Sequence, residues 1–204
     1  MQILSFKPET KREVIEKALE VLNGGGVIAY PTESFYALGV LVTEKAAVKR
    51  LCQIKNRPAN KPLPVIVGDM ETLRAVVKSV PLQAETLIEK FWPGPLTIIF
   101  EAVIGLPELL TGGSGRIAVR IPGESAALHL SRRVRLPITA TSANPSGSAP
   151  ARSAQEVIDY FGESVDLLID AGETPGGKPS TIVDATATPL KILRAGKIEL
   201  QEYL

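Results

Sequence analysis

Six short segments of this 204-residue chain gather cationic and hydroxyl-bearing side chains at spacings suited to holding an anion. In KNRPANKPL, at 55–63, Lys55, Arg57 and Lys61 fall within seven positions, and Pro58 and Pro62 keep the stretch out of helix. Three cations so close can neutralise a polyphosphate, although a solvated basic loop after a helix has the same composition. In RIAVRIP, at 116–122, Arg116 and Arg120 stand four apart on a predicted strand, where period-two geometry puts both guanidinium groups on one face. They can grip one anion or two neighbours; the commoner use of such arginines is to face solvent or pair with carboxylates. TATSANPSG, at 139–147, crowds Thr139, Thr141, Ser142, Asn144 and Ser146 into a strand end and a loop, next to backbone N–H groups that small residues leave open. Turn chemistry accounts for Asn-Pro-Ser-Gly equally well. PTESFYALG at 31–39, KPSTIVD at 178–184 and LRAG at 193–196 have the same character.

Composition narrows the chemistry. Lys plus Arg exceed Asp plus Glu by 23 − 22 = +1, so there is no global basic field, and coating of nucleic acid is not expected. A single cysteine, Cys52, excludes an intramolecular disulfide, and a single histidine, His129, removes most histidine-based metal sites. No metal site made by the protein alone is expected, and a reducing, cytoplasmic setting fits. Both residues fall in predicted helices and read as packing or surface groups. The longest apolar runs, such as 96–100, are far below the ~20 residues that cross a bilayer, and the N-terminus has no signal-peptide pattern.

Several enzyme classes are also disfavoured. Ser142 lacks a GxSxG elbow and only His129 could serve it as a histidine base, so it reads as a ligand and not a nucleophile. The glycine-rich stretches at 24–26, 112–115 and 176–177 do not continue into GK[ST] at phosphate-loop spacing, and no GxGxxG follows a strand. Aromatic residues make up 5% of the chain, too few for a platform that stacks single-stranded nucleic acid.

The elements that must position these segments alternate between helix and strand. Thr10 with Glu13 predicts a capping box for a helix over 11–22, whose apolar face is Val14, Ile15, Ala18, Leu19 and Leu22. Three glycines at 24–26 end it, and 27–30 reads as a buried strand closed by Pro31. Helices are expected at 44–54, 70–77, 82–91, 125–133 and, after a second capping box at Ser153 and Glu156, to 161. Strands are expected at 63–67, 96–101, 116–121, 136–141, 167–170, 181–185 and 191–194, the last three with no helix between them and therefore antiparallel. The sum is one α/β domain over 1–204, an open, twisted mixed sheet flanked by helices.

Taken together, PTESFYALG, KNRPANKPL, FWPGPLTIIF, RIAVRIP, TATSANPSG, PSTIVD and ILRAG stand in the order seen in the YrdC-like threonylcarbamoyl-AMP synthases, which the chain resembles from about Gly24 to Gly196. That resemblance implies a twisted α/β sheet around a concave cleft. It implies ATP-dependent joining of L-threonine and bicarbonate into L-threonylcarbamoyl-AMP with release of pyrophosphate. The product serves tRNA threonylcarbamoyladenosine modification through partner proteins that accept the adenylate. By matching motifs, Lys55 and Arg57 are implied at the nucleotide phosphates and, with Ser142, in catalysis. Ser142, Asn144 and Arg194 are implied at the nucleotide, and Thr32, Arg120 and Ser180 at threonine. Arg116 is added as a nucleotide contact because it shares the face of Arg120. Mg²⁺ is expected through the phosphates of ATP, and segment 55–63 as a mobile loop. The first motif departs from the family's usual Pro-Thr-Asp-Thr-x-Tyr-Gly-Leu-Gly, and its Tyr36-Ala37-Leu38-Gly39 resembles a paralogous branch. Two alternatives follow: a non-catalytic module binding tRNA or double-stranded RNA, or a divergent paralogue acting on another carbamoyl adenylate.

Overall fold

The computed structural model describes residues 1–200; the last four positions of the domain expected over 1–204 lie outside the described residues. In chain order the elements are β1 (Gln2–Ser5), α1 (Lys11–Asn23), β2 (Ile28–Pro31), β3 (Tyr36–Gly39), α2 (Lys45–Ile54), β4 (Val65–Ile66), α3 (Met70–Arg74), α4 (Leu82–Phe91) and β5 (Leu96–Glu101). They continue with α5 (Glu108–Thr111), β6 (Arg116–Arg120), α6 (Ala126–Val134), β7 (Ile138–Thr139), β8 (Thr141–Ser142), α7 (Ala154–Phe161), β9 (Leu167–Asp170), β10 (Thr181–Asp184) and β11 (Lys191–Arg194). The mixed α/β class holds, but the strands form two sheets where one was expected: β1-β9-β2-β3-β8 and β11-β10-β5-β6-β4-β7.

Helix α1 buries Val14, Ile15, Ala18 and Leu22, and Gly25 supplies the left-handed backbone (φ 74°) that turns the chain toward β2. Its start differs from expectation. Thr10 has near-helical backbone angles, and its hydroxyl donates to the Ser5 carbonyl at 2.6 Å and accepts from the Lys7 N–H at 3.0 Å, so it closes the preceding turn without capping the helix. Ser153 does cap α7, accepting the Glu156 N–H at 3.2 Å, while the Glu156 carboxylate accepts the Arg152 N–H at 2.6 Å.

The C-terminal strands also correct the antiparallel expectation. β9 leaves that end and pairs in parallel with β1 and β2 in the first sheet, β10 pairs in parallel with β5, and only β10–β11 is antiparallel. Helix α7, before β9, is the crossover that permits parallel pairing. Strand β1, strand β3 and the four-residue α5 were not expected.

The two sheets meet where one segment changes sheet. β7 pairs with β4 in the second sheet, and two residues later β8 pairs with β3 in the first. The Ala140 N–H between them donates to the Pro64 carbonyl at 2.8 Å. The Thr139 N–H donates to the Val40 carbonyl, the Val40 N–H to the Thr139 hydroxyl, and the buried Tyr30 hydroxyl to the Thr139 carbonyl at 2.8 Å. Burial raises the pKa of Tyr30, so it stays a donor. A large core fills the space around the second sheet with Leu51, Leu63, Leu87, Ile98 and Phe100, and a second core under α1 and α6 contains Leu22, Ile28, Leu130 and Ile138.

Gly39 is where β2, β3 and β7 converge: a Cβ there would lie 2.6 Å from a Tyr30 ring carbon, 2.8 Å from Ile138 and 2.9 Å from the Thr139 carbonyl. The Gly39→Ala variant should therefore lose about 1–3 kcal/mol of stability, read as a lower midpoint in urea unfolding with an unchanged slope.

Candidate active site

A cleft of about 360 Å³ opens between the two sheets, floored by the crossing segment and walled by the turn after β2, the stretch after α2, and the loop before β10. The turn after β2 is tied by Thr32: its hydroxyl donates to the Phe35 carbonyl at 2.8 Å and accepts the N–H groups of Ser34 and Phe35. Thr32 lines the cleft, but its hydroxyl already shapes the turn.

Beyond α2, Asn56 adopts a left-handed conformation (φ 49°) that swings Arg57 into the cleft. Arg57 donates from Nε to the Lys61 carbonyl at 3.2 Å and from Nη2 to the Pro62 carbonyl at 2.6 Å, which holds the 57–62 loop closed on its own guanidinium. Burial holds its pKa below the usual arginine range. Lys61 lines the cleft beside it.

Lys55 takes a different place. Its side chain is buried, and Nζ donates to the carbonyls of Ser142 and Asn144, the latter at 2.5 Å. It therefore stands beneath the 142–144 backbone and does not line the cleft. Burial, reinforced by repulsion from Arg57 and then Lys61, pushes its pKa down to about 7. Above it, Ser142 presents a hydroxyl at the cleft with no partner among the described residues. Asn144 is turned inward: Nδ2 donates to the carbonyls of Pro145 and Ser148, and Oδ1 is buried without a partner.

The opposite wall is a strap. Arg194 donates from Nε and Nη2 to the Ser180 carbonyl and from Nη2 to the Ser180 hydroxyl at 2.9 Å, and that hydroxyl also meets Thr97 at 2.9 Å. Gly196 lies so close to the 179–181 backbone that a Cβ would come within 2.3–2.5 Å of three backbone atoms. Arg194, Ser180 and Thr97 all line the cleft. Burial, then the charge of Arg120, keeps the Arg194 pKa below its usual range. Arg120, on the same cleft, donates from Nη1 to Glu33 at 2.6 Å.

Arg116 does not join this site. Four residues of strand span about 13 Å, and Arg116, at the far end of β6, pairs with Asp184 at 3.1 Å outside the cleft. Its shared face with Arg120 places it one strand length away from the anion that Arg120 could hold. Ser34, Phe35 and Thr97 also line the cleft and were missed; Thr97 carried a signal as the lone hydroxyl in an apolar strand.

Four cations, Arg57, Lys61, Arg120 and Arg194, line the cleft together with several hydroxyls and no carboxylate. Among the described residues no cluster of three or more His, Cys, Asp or Glu is placed to bind a metal, and no helix is long and apolar enough to cross a membrane. Fold and site thus define a two-sheet α/β protein whose cleft suits anionic small molecules. More narrowly, the chain belongs to the Sua5/YciO/YrdC family, whose model, described as telomere recombination, matches residues 20–196.

Among relatives, a threonylcarbamoyl-AMP synthase of Pyrococcus abyssi (strain GE5 / Orsay) is 37% identical over 200 residues, covering 98% of this chain and 59% of that protein. One of Idiomarina loihiensis is 37% identical over 161 residues, covering 78% of this chain and 87% of the relative. Of solved structures, P. abyssi Sua5 complexed with L-threonine is similar with a TM-score of 0.91 at 37% identity, over 98% of this chain and 58% of that one. E. coli YciO is similar with a TM-score of 0.86 at 30% identity, over 100% and 98%. The chain therefore spans about three-fifths of the P. abyssi protein and nearly the whole of YciO.

The lysine beneath the site gives a pH signature. Its folded pKa, about 7, lies below the 10.5 of the free side chain, so between those values the unfolded chain binds more protons and stability rises with pH. Urea unfolding at pH 7 and pH 9.5 should show the wild type gaining stability over that interval relative to Lys55→Met, which lacks the titrating group.

Proposed function

We propose that this chain is an ATP-dependent L-threonylcarbamoyl-AMP synthase acting in tRNA threonylcarbamoyladenosine modification. The carrying observation is a cleft with four cations and no carboxylate, formed by the motifs the chain shares with the family. Two relatives bearing the synthase name, and a solved relative complexed with L-threonine, support the reading over an RNA-binding module.

The reaction joins the threonine amine to bicarbonate, with loss of water, and the resulting carbamate oxygen attacks the α-phosphorus of ATP. The bond from that phosphorus to the bridging oxygen breaks, and pyrophosphate leaves with the electron pair. Charge grows on phosphate oxygens throughout, and fixed cations stabilise it. Arg57 and Lys61, which share one wall, suit the polyphosphate. Arg120 suits the threonine carboxylate through a planar fork, with Ser180 beside it. Ser142 offers a hydroxyl on the same cleft, while Lys55 acts through the 142–144 backbone that it holds. Mg²⁺ bound by ATP would add positive charge at the phosphates; with no carboxylate on the lining, the nucleotide would be its principal ligand.

Assembling three substrates is the main entropic barrier, and no side-chain nucleophile is required. The product is a mixed anhydride that must pass to an acceptor protein, and a cytoplasmic location follows from a role in tRNA modification. With purified protein, pyrophosphate release should require ATP, Mg²⁺, threonine and bicarbonate together, with the labile adenylate seen by mass spectrometry. Turnover that ignores threonine would refute the assignment. In the same assay Arg57→Ala should lower turnover about 10²-fold. Ser142→Ala should weaken nucleotide binding by about 1–3 kcal/mol, read by titration calorimetry.

A further inference from the structure

Behind the cleft, one carboxylate stands apart from the cationic lining. Glu33 lies in the turn that Thr32 ties, and its Oε1 accepts from Arg120 Nη1 at 2.6 Å. The side chains are only 14% and 11% exposed, so the pair is shielded from solvent on nearly all sides. Arg120 lines the cleft and Glu33 does not. Arg120 Nε and Nη2 have no partner among the described residues, and Glu33 Oε2 is buried without one. The carboxylate arm is backed by Gly123, where a Cβ would come within 3.3 Å of the Glu33 Cγ.

The cations of the cleft fall into two groups that differ in net charge: Arg57 and Lys61, whose charges both act on Lys55, and Arg120 and Arg194, the first of which acts on the second. No acidic side chain faces Arg57 or Lys61, whose polar contacts in this structure are to backbone carbonyls where they have any. In the second group Glu33 cancels the charge of Arg120, leaving Arg194 as the uncompensated cation beside Ser180. A uniformly cationic cleft would bind phosphate or pyrophosphate at either end, and an amino acid would have to compete with both.

We propose that Glu33 is a positioning and specificity residue: it neutralises Arg120 from behind and turns the guanidinium's free edge to the cleft, so that this end accepts the single carboxylate of a zwitterionic amino acid and rejects multiply charged anions. The inference deepens the functional reading above and rests on it. Fixing the fork by a buried carboxylate also removes the rotational freedom that Arg120 would otherwise lose on binding its ligand.

The test is calorimetric binding of L-threonine with inorganic phosphate as competitor. In the wild type, threonine should bind and phosphate should compete weakly. Glu33→Gln keeps the shape and removes the charge, so the preference for threonine over phosphate should fall at least tenfold, through a gain in phosphate binding that a loosened fold would not produce. Glu33→Asp keeps the charge on an arm one methylene shorter. It should still exclude phosphate while losing threonine affinity severalfold, and it serves if the glutamine variant fails to fold. Wild-type preference in Glu33→Gln, or wild-type threonine affinity in Glu33→Asp, overturns the role of Glu33 and leaves the synthase reading standing. A wild-type protein that binds no L-threonine overturns both.

Discussion

The site depends on one short segment that belongs to both sheets. Residues 138–142 leave the second sheet as β7 and enter the first as β8, so that any displacement between the sheets is felt at Ser142. Among the polar contacts that fix the crossing are the Tyr30 hydroxyl to the Thr139 carbonyl, the Ala140 N–H to the Pro64 carbonyl, and the Lys55 amine to the carbonyls of Ser142 and Asn144. A crossing strand has backbone groups that neither ladder satisfies, and burying them unpaired would be costly. Lys55 meets that need with a buried amine donor under the floor of the cleft. Its amine lies beneath the cleft within reach of the charges of Arg57 and Lys61, and burial pushes its pKa down to about 7.

On either side of that seam the walls of the cleft are built differently. On one side the loop after α2 folds around Arg57, whose guanidinium holds the carbonyls of Lys61 and Pro62 and so keeps Lys61 beside it. On the other, a strap from β11 clamps the Ser180 backbone through Arg194, with Gly196 allowing the close approach. Arg120 and Glu33 complete that side as a nearly buried pair. Such pairs contribute little net stability, since desolvation offsets most of the attraction, so its value lies in orientation and selectivity.

Much of this was legible in the sequence, because the motif segments are local and the helices announce themselves. The apolar face of α1 and the Ser153 cap on α7 followed from spacing alone. What spacing could not give was pairing. The stretch 136–141 reads as one strand, yet it pairs with two sheets, a choice made by partners distant in the chain. β3 was hidden inside a motif that looked like a loop, since Tyr36-Ala37-Leu38-Gly39 is too short and too uniformly buried to show alternation. Thr10 and Glu13 have capping spacing, but the Ser5 carbonyl competed for the hydroxyl. In the site, Lys55 and Arg57 look alike in sequence and separate only in three dimensions, one under the floor and one on the wall. Arg116 fell away because a shared strand face says nothing of distance along the strand.

The central claim is that one cleft holds a polyphosphate at the Arg57 end and an amino acid at the Ser180 end. The direct measurement is paired calorimetric titration of Arg57→Ala and Ser180→Ala with a non-hydrolysable ATP analogue and with L-threonine. The account requires Arg57→Ala to weaken the nucleotide while sparing threonine, and Ser180→Ala to do the reverse. If both substitutions weakened the same ligand and spared the other, the division of the cleft would be contradicted.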